Sequence, residues 1–189
     1  MKYLKLVFSA PKQYYAKQGY TPIEGWYLTE KHPTKNAVTG FLGAALGIER
    51  GDPALGELKN MITVKYTVCS PDLKTVDRDH HVTTYFDYHT VRPKAGQRFM
   101  TVGGTLMASD PNKNCIVKHI EYIADIAFFV YIGAEDENFL RKLHAAIRDP
   151  HYPLYFGRKQ CMPSRVRSIV PKEFSLLSEE EIGNVYDSL

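Results

Sequence analysis

Residues 116–132 read IVKHIEYIADIAFFVYI, and the interpretation of this stretch decides the fold. The apolar run within it, from Tyr122 on to Ala134, is 13 residues long and contains Asp125. A helix that spans a bilayer needs about 20 apolar residues, so the run is too short and too polar to cross one. Its Ile, Val, Phe and Tyr content favours extended structure, and it reads as one or two buried strands.

Working outward, residues 3–8 alternate and carry strand formers, which predicts a first strand. Residues 61–69, containing ITVKYTV, and residues 82–91 predict two more. Residues 10–32 lack a clear period and contain Gly19, Pro22 and Gly25, so a long loop is expected there. Pro33 and Thr34 open the clearest helix. Thr34 suits an N-cap, Ala37, Val38, Phe41, Leu42, Ala45 and Leu46 make an apolar face, and Gly47 suits a stop. Gly40 and Gly43 lie inside it at a cost of roughly 1 kcal/mol each against Ala, which predicts close packing on a sheet or a partner backbone. A second helix is expected over 135–148, acidic at its start and basic at its end as the helix dipole favours, and closed by Asp149-Pro150. Residues 153–156 read as a final strand or as a turn. Residues 70–114 read as an inserted hairpin or arm, flanked by a domain made of 1–69 and 115–172 and followed by an acidic tail, 173–189. The order strand, helix, strands, helix, strand is that of a ferredoxin-like α+β sandwich, a topology shared with RRM-type RNA-binding domains. Fold alone does not give function.

The whole chain has 189 residues, 44% hydrophobic and 24% charged, which excludes disorder, collagen and coiled coil as its main character. A chain of this length buries roughly 70% of its unfolded surface and can build a core without metal or disulfide staples. Its 13 Tyr suit either surface stacking or a β-rich core. The start, MKYLKLVFSA, has too short an apolar stretch for a secretory signal. Cys69, Cys115 and Cys161 are widely spaced with no C-x-x-C, and read as reduced thiols of a cytoplasmic protein without a membrane role.

The net charge of +3 hides an asymmetry. Five of the 21 acidic residues (Glu173, Glu179, Glu180, Glu181, Asp187) fall in the last 17 positions, which hold no Lys or Arg. The rest of the chain therefore carries 24 basic against 16 acidic residues. Residues 157–172 hold Arg158, Lys159, Arg165, Arg167 and Lys172 with no acid, the pattern of a loop that meets a polyanion, although such runs also serve as solvated faces. Lys35 beside a helix N-terminus makes a second anion-friendly place. Tyr14, Tyr15 and Tyr20 interleave with Lys12 and Lys17, as suits base stacking with phosphate contact or a loop pinned by tyrosines.

No nucleophile elbow, P-loop or H-E-x-x-H is present. His80, His81 and His89 stand among Asp77, Asp79 and Asp87, but the spacing fits no strong metal-ligand pattern, and polar strand-edge residues are the plainer reading. Lys118-His119 suits a metal-independent ribonuclease, His as acid or base and Lys on the phosphorane charge, or a phosphate contact beside a surface histidine. No cofactor is implied.

Several segments together resemble one family. PTKNAVTGFLGAALGIERGD (33–52) is similar to the P-T-K-S-x-V-x-G-L-L-A-A-A-L-G-I-x-R-x-D segment of the CasD family, RAMP-type subunits of the CRISPR Cascade complex. Residues 87–91 (DYHTV) resemble its D-[FY]-H-T-[VA], 121–125 (EYIAD) its E-Y-L-A-D, and 153–161 (PLYFGRKQC) its P-x-Y-L-G-R-[RK]-x-C. Residues 11–13 (PKQ) match the P-x-Q of its first loop. The matches run in family order, closest to the type I-E branch. Where the family often has Arg-Arg ahead of E-Y-L-A-D, this chain has His119-Ile120, with Lys118 the nearby base. Tyr14 or Tyr15 stands where the family often has Trp, and the chain is shorter than most relatives.

The resemblance implies an RRM-like RAMP domain with an inserted arm or thumb. It implies a non-catalytic subunit that caps the 5′ handle of crRNA and contacts a backbone subunit and the large subunit. The assembled complex would meet target DNA in antiviral defence. Expected RNA contacts are Gln13, Tyr14, Thr34, Lys35, His89, Lys118, Arg158, Lys159, Arg165 and Arg167. In the related type I-C branch the counterpart cleaves precursor crRNA, and Lys118 and His119 would then be the catalytic pair.

Overall fold

The computed structural model describes residues 1–17, 25–70, 72–77, 81–92, 115–164, 169–183 and 185–187. In chain order its elements are β1 (Lys2–Gln13), β2 (Trp26–Tyr27), α1 (Lys35–Leu46), α2 (Ala54–Met61) and β3 (Thr63–Cys69). Then come β4 (Thr84–Val91), β5 (Ile116–Ala134), α3 (Glu137–Arg148), α4 (Glu179–Ile182) and β6 (Tyr186–Asp187). Among the described residues no helix is long and apolar enough to cross a membrane.

Residues 116–134 form one strand, β5, of 19 residues, about 60 Å if straight. Both of its edges are shared. Along one edge β1 pairs antiparallel from Lys2↔Ala134 to Gln13↔Ile123, and β2 then pairs in parallel at Trp26↔His119 and Tyr27↔Ile120. Along the other, β3 pairs from Thr63↔Gly133 to Cys69↔Ala127, and β4 takes over from Thr84↔Ile123 to Val91↔Ile116. The handover falls at Asp125, whose φ of 41° leaves the extended region. Asp tolerates the left-handed conformation better than β-branched residues do. The β1 register puts Pro11, which has no N–H to donate, opposite Asp125.

Above that point the sheet has two covered faces. Leu4, Leu6 and Phe8 of β1, Val64 of β3 and Phe128, Val130 and Ile132 of β5 are buried in one core with Val38, Leu42, Leu140, Leu143 and Ile147 of α1 and α3. On the reverse, Tyr3, Cys69, Ala127, Phe129 and Tyr131 form a smaller core closed by Ile182. The acidic end of the chain therefore packs on the sheet. His144 of α3 meets the Pro171 carbonyl at 2.8 Å, and the Arg141 guanidinium lies 4.2 Å from the Phe174 ring. Leu177 bridges Tyr3 of β1, and Ser178 and Glu181 form a reciprocal cap on α4. The Glu179 carboxylate accepts from the Tyr3 hydroxyl at 2.7 Å and pairs with Lys65.

The first helix lies where expected. Thr34 is its N-cap, accepting from the Ala37 N–H, and Gly47 closes it at φ 80°. Three expectations need correction. The first strand runs to Gln13, so residues 10–13 belong to the sheet, where eleven paired positions with β5 outweigh the weak strand propensity of Pro11 and Lys12. The loop expected over residues 10–32 contains β2, held by parallel pairing and by the Thr29 N–H donating to Glu121. Helix α2 was not expected; only Leu58 of it is buried, too little for a periodic signal. Of the two readings of residues 153–156, the turn is the one found: they enter a tight loop. As for the helix glycines, a Cβ on Gly43 would stand 2.4 Å from the Leu55 side chain, so Gly43 packs against α2 and not the sheet, whereas one on Gly40 would meet nothing within 4 Å.

That tight loop carries the basic residues. Phe156 packs its ring 4.5 Å from Phe8 and 5.8 Å from Phe41, fixing the loop to β1 and α1. Its carbonyl accepts from Tyr14 N–H at 3.1 Å, and Phe156 N–H and Cys161 N–H close the turn onto Cys161 and Arg158 carbonyls at 2.8 Å each. Gly157 sits at φ 89°, and a Cβ there would stand 1.7 Å from the Tyr14 carbonyl oxygen. Only glycine fits both constraints. Gly157→Ala is therefore expected to cost about 2 kcal/mol or more, a fall of roughly 5 °C or more in Tm by calorimetry; an unchanged Tm would show that the loop yields freely.

The C-terminal latch makes a pH prediction. Hydrogen bonds from Lys65 and then Tyr3 hold the Glu179 carboxyl below its ordinary value. A lowered folded pKa adds stability above the ordinary Glu range that is lost as the pH falls through the folded value. Glu179→Gln should lower Tm at pH 7, with the gap to the parent narrowing as the pH falls below the ordinary Glu range; a gap that stays constant with pH contradicts the ion pair.

Candidate nucleic-acid interface

Over residues 116–123, β5 lies between β4 and β2, and strand alternation sorts its side chains onto two faces. Lys118, Ile120 and Tyr122 share one face with His89, Asp87 and Tyr85 directly across on β4 and with Tyr27 on β2. The end of β1 and the Gly157 loop bring Lys12, Tyr14 and Arg158 onto the same face. The Arg158 guanidinium lies 4.3 Å from the Tyr14 ring and 5.1 Å from the Tyr27 ring. Lys118 Nζ stands 5.4 Å over Tyr27, and Lys12 Nζ 5.0 Å over Tyr122. Tyr122 in turn meets Tyr14 edge-on at 6.1 Å and Tyr85 at 5.9 Å. Three permanent cations thus rest on a connected group of tyrosines, each contact worth about 0.5–2 kcal/mol in holding the charge in place.

One acid sits among them. Asp87 is 3.9 Å from Lys12 Nζ and 3.2 Å from His89 Nε2, so it ties a lysine and a histidine to the β4 edge. The Tyr122 hydroxyl and Arg158 Nε are buried with no hydrogen-bond partner among the described residues. Burial pushes the Tyr122 phenol up to about 12, against the lowering effect of the Arg158 charge. Burial likewise pushes the Cys161 thiol beside them up to about 11, so it behaves as a small apolar group.

Of the expected contact residues, Tyr14, His89, Lys118 and Arg158 converge on this face. Lys159, the next residue along the loop, turns instead into a groove of about 970 Å³ whose walls include Asn36, Gly40 and Phe41 of α1, Arg50 and Tyr155. Lys35 starts α1 one residue before the groove-lining Asn36, and Thr34 is spent on capping the helix. The 157–159 loop therefore joins the two basic areas. Gln13 is not at the surface. It is fully buried, donating to the Ile126 carbonyl at 2.7 Å and accepting from the Tyr15 hydroxyl at 2.5 Å. A side chain with no exposed surface has nothing to offer a ligand here, and Gln13 instead locks the turn that presents Tyr14. Arg165 and Arg167 lie outside the described residues, as do Tyr20, His80 and Asp79. Among the described residues no three His, Cys, Asp or Glu side chains are placed to hold a metal ion.

Lys118 and His119 part company. Lys118 belongs to the cationic face, whereas His119 points to the other side of the sheet and stacks on Trp26 at 4.1 Å. Trp26, Tyr27 and Tyr122 were not foreseen as site residues. Tyr122 had a local signal in the EYIAD segment and Tyr27 only in the tyrosine abundance, while Trp26 had none; it is the β2 and β4 pairing with β5 that assembles them.

The model of the family described as CRISPR-associated protein (Cas_Cas5) matches residues 4–177. The chain is 32% identical over 165 residues to the CRISPR system Cascade subunit CasD of Escherichia coli (strain K12), covering 84% of this chain and 66% of that protein. Among solved structures, a chain of a CRISPR RNA-guided surveillance complex superposes with a TM-score of 0.67 at 24% identity, over 89% of this chain and 61% of that one. A Cas protein crystal structure gives 0.52 at 23% identity, over 86% and 60%. The chain thus spans about two thirds or less of the length of these relatives, and the two structural likenesses speak for the fold. With the model matched from β1 to Leu177, and the basic 157–159 loop within it, the chain belongs to the Cas5 family of CRISPR-associated proteins.

Proposed function

We propose that this protein is a non-catalytic subunit of a type I Cascade complex that holds the 5′ handle of crRNA. The observation that carries the reading is the convergence of Lys12, Lys118 and Arg158 on Tyr14, Tyr27 and Tyr122. Cations held on aromatic rings suit a single strand, whose phosphates need fixed positive charge and whose bases need flat apolar surface. Lys159 and the Lys35 end of α1 extend the cationic path along the groove. His89 stands on the same face, its Nε2 3.2 Å from the Asp87 carboxylate. The fold supports a ferredoxin-like RAMP core: β1, β5 and β3 lie side by side, and the segment after α3 reaches the free edge of β1, where Val7 N–H donates to Ile169 at 2.7 Å. Residues 70–114 would be the arm, with β4 as its stem, and the docked 177–182 segment a cover for the sheet. A backbone subunit and the large subunit would be its partners, with target DNA met through the assembled complex in the cytoplasm.

The ribonuclease alternative needs Lys118 and His119 to act on one phosphodiester. Their opposite faces on β5 disfavour it, since consecutive strand residues diverge by construction.

Two measurements test the reading. Without metal, labelled precursor crRNA should bind in preference to a scrambled-handle control and stay intact. Site-specific cleavage that disappears in His119→Ala would make the protein an enzyme instead. Replacing Arg158 and Lys159 together by Ala should weaken handle binding about tenfold or more and flatten the dependence of log affinity on log salt by roughly one to two. Unchanged affinity and slope would remove these residues from the interface.

A further inference from the structure

The reverse of the β2–β5–β4 ribbon carries a second group of aromatic rings that the cationic face does not use. Trp26 is stacked on His119, with centroids 4.1 Å apart and planes 12° from parallel. Phe86 meets Trp26 edge-on at 5.1 Å, and Tyr88 meets His119 at 5.3 Å. Register explains the grouping: Trp26 and Tyr88 flank His119 from opposite sides, and Phe86 stands across from Glu121. These large rings are exposed, Trp26 by 40%, Phe86 by 48% and Tyr88 by 61%. An apolar cluster of this kind left open to water marks a surface that is covered in use.

We infer that this reverse face is a stacking platform for unpaired nucleobases, a site separate from the cationic face. The inference rests on the reading of the chain as an RNA-binding protein and names a second surface for it. Three observations favour bases over a polypeptide. The exposed side chains Trp26, Phe86 and Tyr88 are flat aromatic rings, the kind of surface that stacks bases regardless of sequence. Alternation along β4 continues the row from Phe86 and Tyr88 to Thr90, and the exposed Arg92 follows directly after the strand as a nearby cation. The two faces also lie back to back on one thin ribbon, and the outer edge of β4 has no strand partner among the described residues. A strand anchored by phosphate on Lys118 and Arg158 can therefore turn that edge and lay bases on Tyr88, Phe86 and Trp26.

Trp26 is the single tryptophan of the chain, so its emission reports this face alone. The experiment titrates the protein with a labelled single-stranded RNA of about 12 nucleotides and with an abasic strand of equal length and charge. Binding is read from the label's anisotropy and stacking from Trp26 fluorescence. RNA should quench Trp26, while the abasic strand should bind more weakly and leave it unchanged. Tyr88→Ala should bind RNA about tenfold more weakly with an unaltered salt slope, and Tyr88→Phe should restore the parent affinity. RNA that binds by anisotropy without quenching Trp26, or equal affinity in Tyr88→Ala, overturns the platform and leaves the cationic interface standing; the face then fits a polypeptide. Equal quenching by the abasic strand also overturns it. Failure of every strand to bind overturns both readings.

Discussion

The backbone pairing of β5 on both of its edges is the constraint on which the rest of the molecule depends. A strand buried on both sides must satisfy every N–H and C=O through neighbours, and β5 does so with four partners over 19 residues. Its C-terminal half lies in a sheet covered on one face by α1 and α3 and on the other by the end of the chain. Its N-terminal half continues as a narrow ribbon with little behind it. The change of partner at Asp125 separates the two regimes. One strand thereby serves as the centre of the core and as the platform of the interface, and no linker intervenes between folding and presentation.

A second contact couples core to site. The carbonyl of Tyr14 and the α-carbon of Gly157 approach so closely that no side chain fits between them. This contact closes the 156–161 loop over the end of β1 and sets Arg158 on two tyrosine rings. The energy that holds Arg158 in place is therefore drawn from the Phe8, Phe41 and Phe156 packing beneath it. An arginine held this way has less rotamer freedom to lose when it meets a phosphate, which favours binding without adding any contact.

Much of the plan was legible in the sequence. Helix α1 could be read to the residue because Thr34, Gly47 and the apolar spacing between them act locally. The 19-residue strand was legible as buried extended structure because its composition is strand-forming throughout. The basic character of 157–159 was plain, since charge is a property of composition. Helix α2 was not legible, with one buried residue, and neither was β2, two residues long and flanked by glycine. The role of Gln13 was misread for a related reason: a polar residue in a motif looks like a contact until its burial is known.

The sequence by itself determined the family, the main helices, the strand at the centre and the presence of a basic loop, all of which follow from local spacing and residue chemistry. Only the tertiary structure decided which residues meet. Alternation alone sends Lys118 and His119 to opposite faces, but only strand register could put Tyr27 with Lys118 and Trp26 with His119. Pairing also brought Asp87 and His89 to Lys12, and Trp26 to Phe86, from parts of the chain more than fifty residues apart. The physical reason is that a side chain's direction in a sheet is fixed by alternation and by its partner strand, and a partner is chosen by the whole fold.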